Sequence, residues 1–374
     1  MFYSQEYFLG QILIWPSMQK IPQGFAICDG RFLPISEYEV LHHLLRGKFG
    51  LNSSSFALPD LRGRFPMGDS DLYSVGKRGG PGPENTVLAS AWVPGHAALS
   101  VYTTTPPSLE LVFIICTAGF YPSSSGELWD GFMGEIVLAA CEQVPAGFMD
   151  CKGQTLAARD YACMYALIAG KYGGRRVADT VTLPDMSGRF PLGAGQSSDP
   201  DMGPPVSLGA AQGTQVVQVP TSPFVGSTSL NVPTMPPFCA LKFLLAIQGM
   251  YPTPGDFPDG GLLGEIVLCA YNEANFKPSQ WLPCDGRLLL TSQYPLLQAL
   301  IGNTYGGDGQ TNFALPDLQG RFPMGATSPE SIGKKHSAAP AEVVNDAGMY
   351  AYHVVWSPPS LGLQFFISIK GEIV

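Results

Sequence analysis

Three acid–base pairs recur at one spacing in this chain: Asp60 with Arg64, Asp185 with Arg189, and Asp317 with Arg321. A carboxylate and a guanidinium four residues apart can form a charge-assisted hydrogen bond. In a cleft, the same pair could orient an anion or take part in proton transfer. No nucleophile or second base recurs beside them, so the residue set for catalysis is incomplete. The expected role is structural, a pair that holds a Pro-Asp-x-x-Gly-Arg turn. Other reactive types lead no further. His42 and His43 are adjacent on a helical pattern and point about 100° apart, a poor chelate. The counterparts of His42 in the other copies are Tyr165 and Gln298. Gly306-Gly-Asp-Gly309 lacks the Lys-Ser/Thr of a phosphate loop, and Asp308 alone lacks the alternating acids of a calcium loop. HExxH and GxSxG are missing. The eight cysteines include no CxxC. Only Cys28, Cys151 and Cys284 are equivalent, so no pair repeats, and buried free thiols are expected. The sequence therefore assigns no catalytic, metal-binding or cofactor-binding residue.

The acid–base pairs sit in a phrase that occurs three times: Leu58-Pro-Asp-Leu-Arg-Gly-Arg-Phe-Pro-Met-Gly68, Leu183 to Gly193, and Leu315 to Gly325. A chain that repeats itself is read first as copies of one unit. The expected units are 1–122, 123–252 and 253–374, each long enough to hold a core of its own. Every copy opens on a short apolar strand after glycine (Gly10-Gln-Ile-Leu-Ile, Gly134-Glu-Ile-Val-Leu, Gly264-Glu-Ile-Val-Leu). A Cys-x-Gly turn follows at 28–30, 151–153 and 284–286, where glycine supplies a positive φ. One helix comes next, with Ser36 and Glu39 reading as a capping box in the first copy. Tyr38, Leu41, Leu45 and Phe49 carry its period, as do Tyr161 to Tyr172 and Tyr294 to Tyr305. Glycines at 50, 173 and 306 read as its end. After the repeated phrase comes a variable stretch (77–105, 194–234, 334–357), then a Pro-Pro signal and a closing apolar strand. The predicted fold class is mainly β with one short helix per repeat, an α+β, loop-rich architecture.

Composition narrows the function. Charged residues are only 14% of the chain, and Gly 44 and Pro 34 make it rich in turns. Net charge is −9 with no basic stripe, so nucleic acid is not an expected partner. The apolar runs are far shorter than the roughly 20 residues of a membrane helix, and membrane insertion is not expected. The N-terminus has no recognisable signal peptide.

These motifs resemble the phage tail collar domain, a family that includes short tail-fibre proteins and bacterial microcystin-dependent proteins. The residues that carry the likeness are Gly-Glu-Ile-Val, Cys-Asp-Gly-Arg, the Tyr-to-Tyr helix, Tyr305-Gly-Gly-Asp-Gly-Gln-Thr-Asn-Phe-Ala-Leu-Pro-Asp-Leu318 and Gly-Arg-Phe-Pro-Met-Gly. Copy two diverges most, with Lys152 for the aspartate and Arg159 for the serine. The resemblance implies a non-enzymatic structural or adhesive component of a virion tail fibre or other extracellular fibre. It also implies collar domains that assemble as intertwined trimers, so the three copies are expected to form a pseudo-trimer within one chain. The alternative reading is a surface- or glycan-binding recognition module acting through the variable stretches. Expected partners are further copies of the chain, other fibre or tail subunits, and a cell-surface glycan. Some fibre relatives bind iron through paired histidines. Here that region holds only His96, His336 and His353 singly, so no such site is expected.

The links at 123–133 and 253–263 are equal in length, each spanning at most about 36 Å. Phe8-Leu9 before Gly10 parallels Phe132-Met133 and Leu262-Leu263 before the later glycines. The first residues thus look like a link with no preceding copy, and Phe2, Tyr3, Tyr7 and Phe8 are costly to expose. The expectation is that they dock beside the closing strand, near Ile373 and Val374, of another chain by strand addition, building a filament. The competing expectation is that they fold back and complete the three-fold within their own chain.

Overall fold

The computed structural model describes residues 7–17, 24–69, 75, 78–79, 87–91, 99–103, 108–116, 132–173, 179–197, 205–208, 210–211, 216–220, 229–233, 238–246, 261–270, 280–336, 342–345, 351–355 and 360–368. In each repeat, a tight turn with glycine at φ near 90° (Gly10, Gly134, Gly264) leads into the opening strand. This is the backbone position that a type II turn reserves for glycine. The opening strands are Gln11–Trp15, Glu135–Ala139 and Ile266–Cys269, and all their residues are buried. Their continuous apolar runs fit strands enclosed on both faces.

Each opening strand pairs with the closing strand of another repeat. Glu135–Ala139 pairs antiparallel with Ser108–Cys116 of repeat 1, setting Ile136 opposite Ile115. Ile266–Cys269 pairs with Phe238–Ala246 of repeat 2, with Ile266 opposite Leu245. Gln11–Trp15 closes the cycle on Ser360–Ser368 of repeat 3, with Ile12 opposite Ile367. The opening strands also pair with one another, Gln11 with Ala139, Glu135 with Cys269, and Ile14 with Ile266. The chain is thus an intrachain pseudo-trimer of β-rich repeats. It does not form three separate cores. One buried cluster runs through all three repeats, from Tyr7 and Ile12 through Ile114, Ile136 and Leu245 to Leu363.

The repeated phrase forms a second ring. The strands Phe65–Gly68, Phe190–Gly193 and Phe322–Gly325 each run parallel to the closing strand of their own repeat. Gly68 N–H donates to the Arg189 carbonyl at 2.9 Å, Gly193 to Arg321 at 3.1 Å, and Gly325 to Arg64 at 2.9 Å. In return, Gly188 donates to Gly68, Gly320 to Gly193, and Gly63 to Gly325. Phe65, Phe190 and Phe322 meet edge to face with all three centroid separations at 6.2 Å, a favoured aromatic geometry.

The helices are α1 Glu39–Leu45, α2 Ala162–Ile168 and α3 Pro295–Ile301, each following a short hairpin strand. Ser36 and Glu39 do not form the expected capping box. The helix starts later, its N-cap is Tyr38, and no side chain caps it. The equivalent tyrosines 161 and 294 hold the same extended-to-helix corner with almost identical dihedrals. The tertiary corner therefore sets the start rather than local capping. Nor do Gly50, Gly173 and Gly306 end the helices, which stop at Leu45, Ile168 and Ile301; Arg46 takes the left-handed cap in α1.

The closing strand of repeat 3 is shared between repeats 3 and 1. Ser360–Leu363 pairs with Phe322–Gly325, and Lys335–His336 also pairs within that stretch; Gln364–Ser368 lies between Gln11–Trp15 and Phe25–Ile27. Both edges of the strand are paired at Ser360–Leu361 and at Phe366–Ile367. Tyr7 and Phe8 are buried in their own chain at 1% and 7% exposure. In this chain these two residues fold back on their own repeats, as the competing expectation has it, with Tyr7 bonded to Glu265. Phe2, Tyr3, Ile373 and Val374 lie outside the described residues.

An alanine Cβ at Gly68, Gly193 or Gly325 would stand 1.9, 1.7 or 1.8 Å from a carbonyl oxygen of the neighbouring repeat. Backbone cannot yield as a flexible side chain does. Gly193→Ala is expected to lower unfolding free energy by about 3 kcal/mol or more, read from the urea midpoint, and a change below about 1 kcal/mol would contradict the ring geometry.

Candidate functional site

The candidate site is the set of repeat-to-repeat contacts around the pseudo-three-fold axis. It is built first from the Pro-Asp turn. Gly30, Gly153 and Gly286 take φ of 75°, 69° and 77°, and each abuts the Cβ of the aspartate from the repeated phrase. Gly30 N–H donates to the Pro59 carbonyl, and Leu61 N–H donates to the Cys28 carbonyl. The same two bonds recur at Gly153 and Met186, and at Gly286 and Leu318. The Cys-x-Gly turn is therefore clipped to the Pro-Asp turn in every repeat, with the equivalent cysteines buried.

The three pairs named from sequence all form, in three different environments. Arg64 Nη1 lies 3.2 Å from Asp60 Oδ2, both partly exposed, and donates to the Asp60 carbonyl at 3.1 Å. Arg62 also holds Asp60, and its bonds draw that carboxyl below the usual range although desolvation opposes them. Arg189 contacts Asp185 at 30% and 41% exposure. Arg321 Nη1 lies 2.9 Å from Asp317 Oδ2 with both side chains at 0%. Ser197, from the variable stretch of repeat 2, donates to Asp317 at 2.7 Å and accepts from Arg321 at 2.9 Å. The third pair is thus part of the interface between repeats 2 and 3.

Each interface carries its own polar contacts. Between repeats 1 and 2, Lys152 sits 3.3 Å from Asp69, and Lys48 pairs with Glu142. Lys152 replaces the aspartate found at 29 and 285, so a departure of copy two from the other copies makes a contact at that interface. Between repeats 2 and 3, Tyr172 Oη donates to the Ala270 carbonyl at 2.7 Å. Between repeats 3 and 1, Tyr305 Oη donates to the Pro16 carbonyl at 2.7 Å.

A buried acidic cluster also lies at the axis, and sequence reasoning missed it. Glu135 and Glu265 begin their opening segments at 0% and 2% exposure, and the equivalent Gln11 is buried too. Tyr7 Oη donates to Glu265 Oε2 at 2.7 Å and accepts from Leu262 N–H at 3.2 Å. Burial pushes Glu135 up to about 8, reinforced by the charge of Glu265, and pushes Glu265 up to about 7 against the opposing bond from Tyr7. Burial raises Tyr7 as well, with Glu265 adding to it. The signal was present in the sequence: a glutamate at the head of an otherwise apolar strand, in two copies of three.

The remaining candidates do not converge on the axis. His43 lies 3.9 Å from Glu39, both well exposed, while His42 packs against Phe56. Asp308 accepts from the N–H groups of Gln310, Thr311 and Asn312, closing its own loop. His96 is outside the described residues. Among the described residues, no group of three His, Cys, Asp or Glu side chains could hold a metal ion. No described helix is long and apolar enough to cross a membrane.

The model of the Phage Tail Collar Domain family matches residues 10–66, 134–191 and 264–323. The chain carries three tandem phage tail collar domains. Each match runs from the glycine before the opening strand to the Arg-Phe-Pro segment of the axial ring, so the matched residues build the interlocked part of the fold. The collar domains mark the chain as a structural component of a phage tail fibre, associated with other tail and fibre subunits. No curated protein and no solved structure matches the chain.

Asp317→Ala is expected to lower stability by about 3–5 kcal/mol because it removes the carboxylate from a buried arginine, whereas Asp185→Ala, at an exposed pair, should cost about 1 kcal/mol or less. Equal losses in chemical denaturation would contradict this ranking. The acidic cluster predicts a pH dependence. The folded chain holds these carboxyls neutral well above their ordinary 4.5, whereas the unfolded chain ionises them there. Their contribution is therefore complete below 4.5 and is lost as pH rises towards about 8. The melting temperature should fall across that window, and Glu135→Gln with Glu265→Gln should flatten the fall.

Proposed function

We propose that this chain is a single-chain, three-fold collar element of a tail fibre, working by rigid packing rather than by catalysis. The carrying observation is the cyclic exchange of opening and closing strands among the three repeats. Such interlocking suits an element that must transmit load, since separating two repeats requires breaking a strand ladder. In this reading Asp60–Arg64, Asp185–Arg189 and Asp317–Arg321 are structural fasteners, and Tyr7 and Phe8 seal the cycle. The repeats at 1–122, 123–252 and 253–374 behave as one cooperative unit, because their core is continuous.

A second reading, recognition of a surface glycan, draws support from one observation. The variable stretches of repeats 1 and 3 form the hairpins Val87–Ala91 with Leu99–Thr103 and Glu342–Asn345 with Ala351–Val355. These hairpins join through parallel pairing of Ala351 with Ser100. Residues that differ between repeats are thereby gathered in one sheet, as a recognition surface requires.

Light scattering of the purified protein should give the mass of one 40.0 kDa chain, with three-lobed class averages in electron micrographs. A stable assembly of three chains as the smallest unit would overturn the single-chain reading. For the second reading, a glycan array should give signal that disappears when residues 87–103 and 342–355 are replaced by short linkers; unchanged signal would remove these hairpins from recognition.

A further inference from the structure

The three opening-to-closing pairings are geometrically equivalent, yet only two of them join segments that are near neighbours in the chain. Glu135–Ala139 follows Ser108–Cys116, and Ile266–Cys269 follows Phe238–Ala246, across links of fewer than about 20 residues. Gln11–Trp15 instead meets Ser360–Ser368 from the far end of the chain. A short tether keeps the local concentration of its two ends high; the third pairing lacks that advantage. Every backbone bond it makes could be made equally by the same segment of a second copy.

The polar contacts at this seam have the same property. Tyr7 bonds Glu265, and Tyr305 bonds the Pro16 carbonyl. Both join repeat 1 to repeat 3, and both would re-form when the repeat 1 segment comes from another molecule. The other two interfaces keep tethers as well as their polar contacts, Lys152–Asp69 and Lys48–Glu142 in one and Tyr172–Ala270 in the other. The edge of the closing strand that takes Gln11–Trp15 is occupied along Gln364–Ile367 by the resident segment. A second copy can therefore reach it only by replacing the resident strand, not by adding to an edge.

We propose that the seam between repeats 3 and 1 is an exchangeable joint, at which residues Tyr7–Pro16 of one copy replace their counterpart on the closing strand Ser360–Ser368 of a second copy. This rests on the single-chain collar reading and adds the route by which collar elements connect. Two copies that exchange reciprocally form a closed dimer. Copies that pass the segment onward form an open filament. The bonds in the closed and exchanged forms are the same, so concentration and the strain of the intervening chain set the balance.

The test uses the full-length protein at high concentration, warmed to just below its melting midpoint, cooled, and resolved by size with light scattering. Oligomers at integer multiples of the chain mass are expected. They should persist on cold dilution and return to monomer when rewarmed dilute. Tyr7→Phe, which keeps the ring and removes the bond to Glu265, should speed exchange about fivefold, the worth of one buried hydrogen bond. Equal parts of Leu13→Cys and Phe366→Cys chains, which place one cysteine on each side of a paired position, should yield a mixed disulfide in the oligomer fraction. Native mass spectrometry of isotopically heavy and light wild-type chains gives the same information without a core substitution, through mixed oligomers that form only after warming. Protein that stays monomeric under all these conditions overturns the proposal, as do oligomers that fall apart on cold dilution. Three-lobed monomers that never exchange would overturn the joint alone; absence of any three-lobed monomer would overturn the collar reading beneath it.

Discussion

The structure depends on the close approach of three backbones at Gly68, Gly193 and Gly325. Each glycine donates to the neighbouring repeat and accepts from it, and no side chain could fit between. This contact sets the distance of every repeat from the axis. Once it is set, Phe65, Phe190 and Phe322 must meet each other at one common separation. The arginine four residues after each Pro-Asp aspartate supplies the carbonyl to which a ring glycine N–H donates, so the salt-bridged turn and the axial ring are one device. Its pairing fixes the turn, and the turn presents the carbonyl.

The opening and closing strands extend the same constraint outward. A nine-residue closing strand is too long to be covered by one partner, so it serves its own repeat at its first half and a neighbouring repeat at its second. Exchange of this kind turns three similar units into one hydrophobic core. It also explains the low charge of the chain, because surface that an isolated repeat would expose to water is covered by the other two. Around that shared frame the interfaces have become different from one another. Lys152 and Asp69 fasten one, Ser197 on Asp317 and Arg321 fastens the next, and Tyr305 on the Pro16 carbonyl fastens the last. Three distinct sets of contacts favour one cyclic order of the repeats.

The buried Glu135 and Glu265 fit this picture as a cost accepted at the axis. Burial of two acids in an apolar strand ladder pushes their carboxyls up, to about 8 for Glu135 and about 7 for Glu265, and Tyr7 supplies a hydrogen bond that water would otherwise supply. The group that seals the cycle is therefore also the group that satisfies a buried carboxyl. Loss of one disturbs the other.

The three repeats, the strand-rich unit with one helix, the positive-φ glycine after Cys28, Cys151 and Cys284, and the Asp–Arg pairing were all legible in the sequence. Each is a local consequence of residue type and spacing, and repetition makes local signals visible three times over. Sequence did not reveal that the start of each helix obeys a tertiary corner at Tyr38, Tyr161 and Tyr294 instead of a capping serine. Nor did it identify Glu135 and Glu265 as buried, since an acid at a strand head reads as solvated until its neighbours are known. The destination of Tyr7 and Phe8 was the plainest case. Their apolar character required burial, but composition cannot say against which chain, because the bonds offered by a molecule's own closing strand and by a neighbour's are the same. Tertiary structure supplies one partner through geometry: the first strand reaches the last within the ring and pairs with it from Ile12 to Trp15.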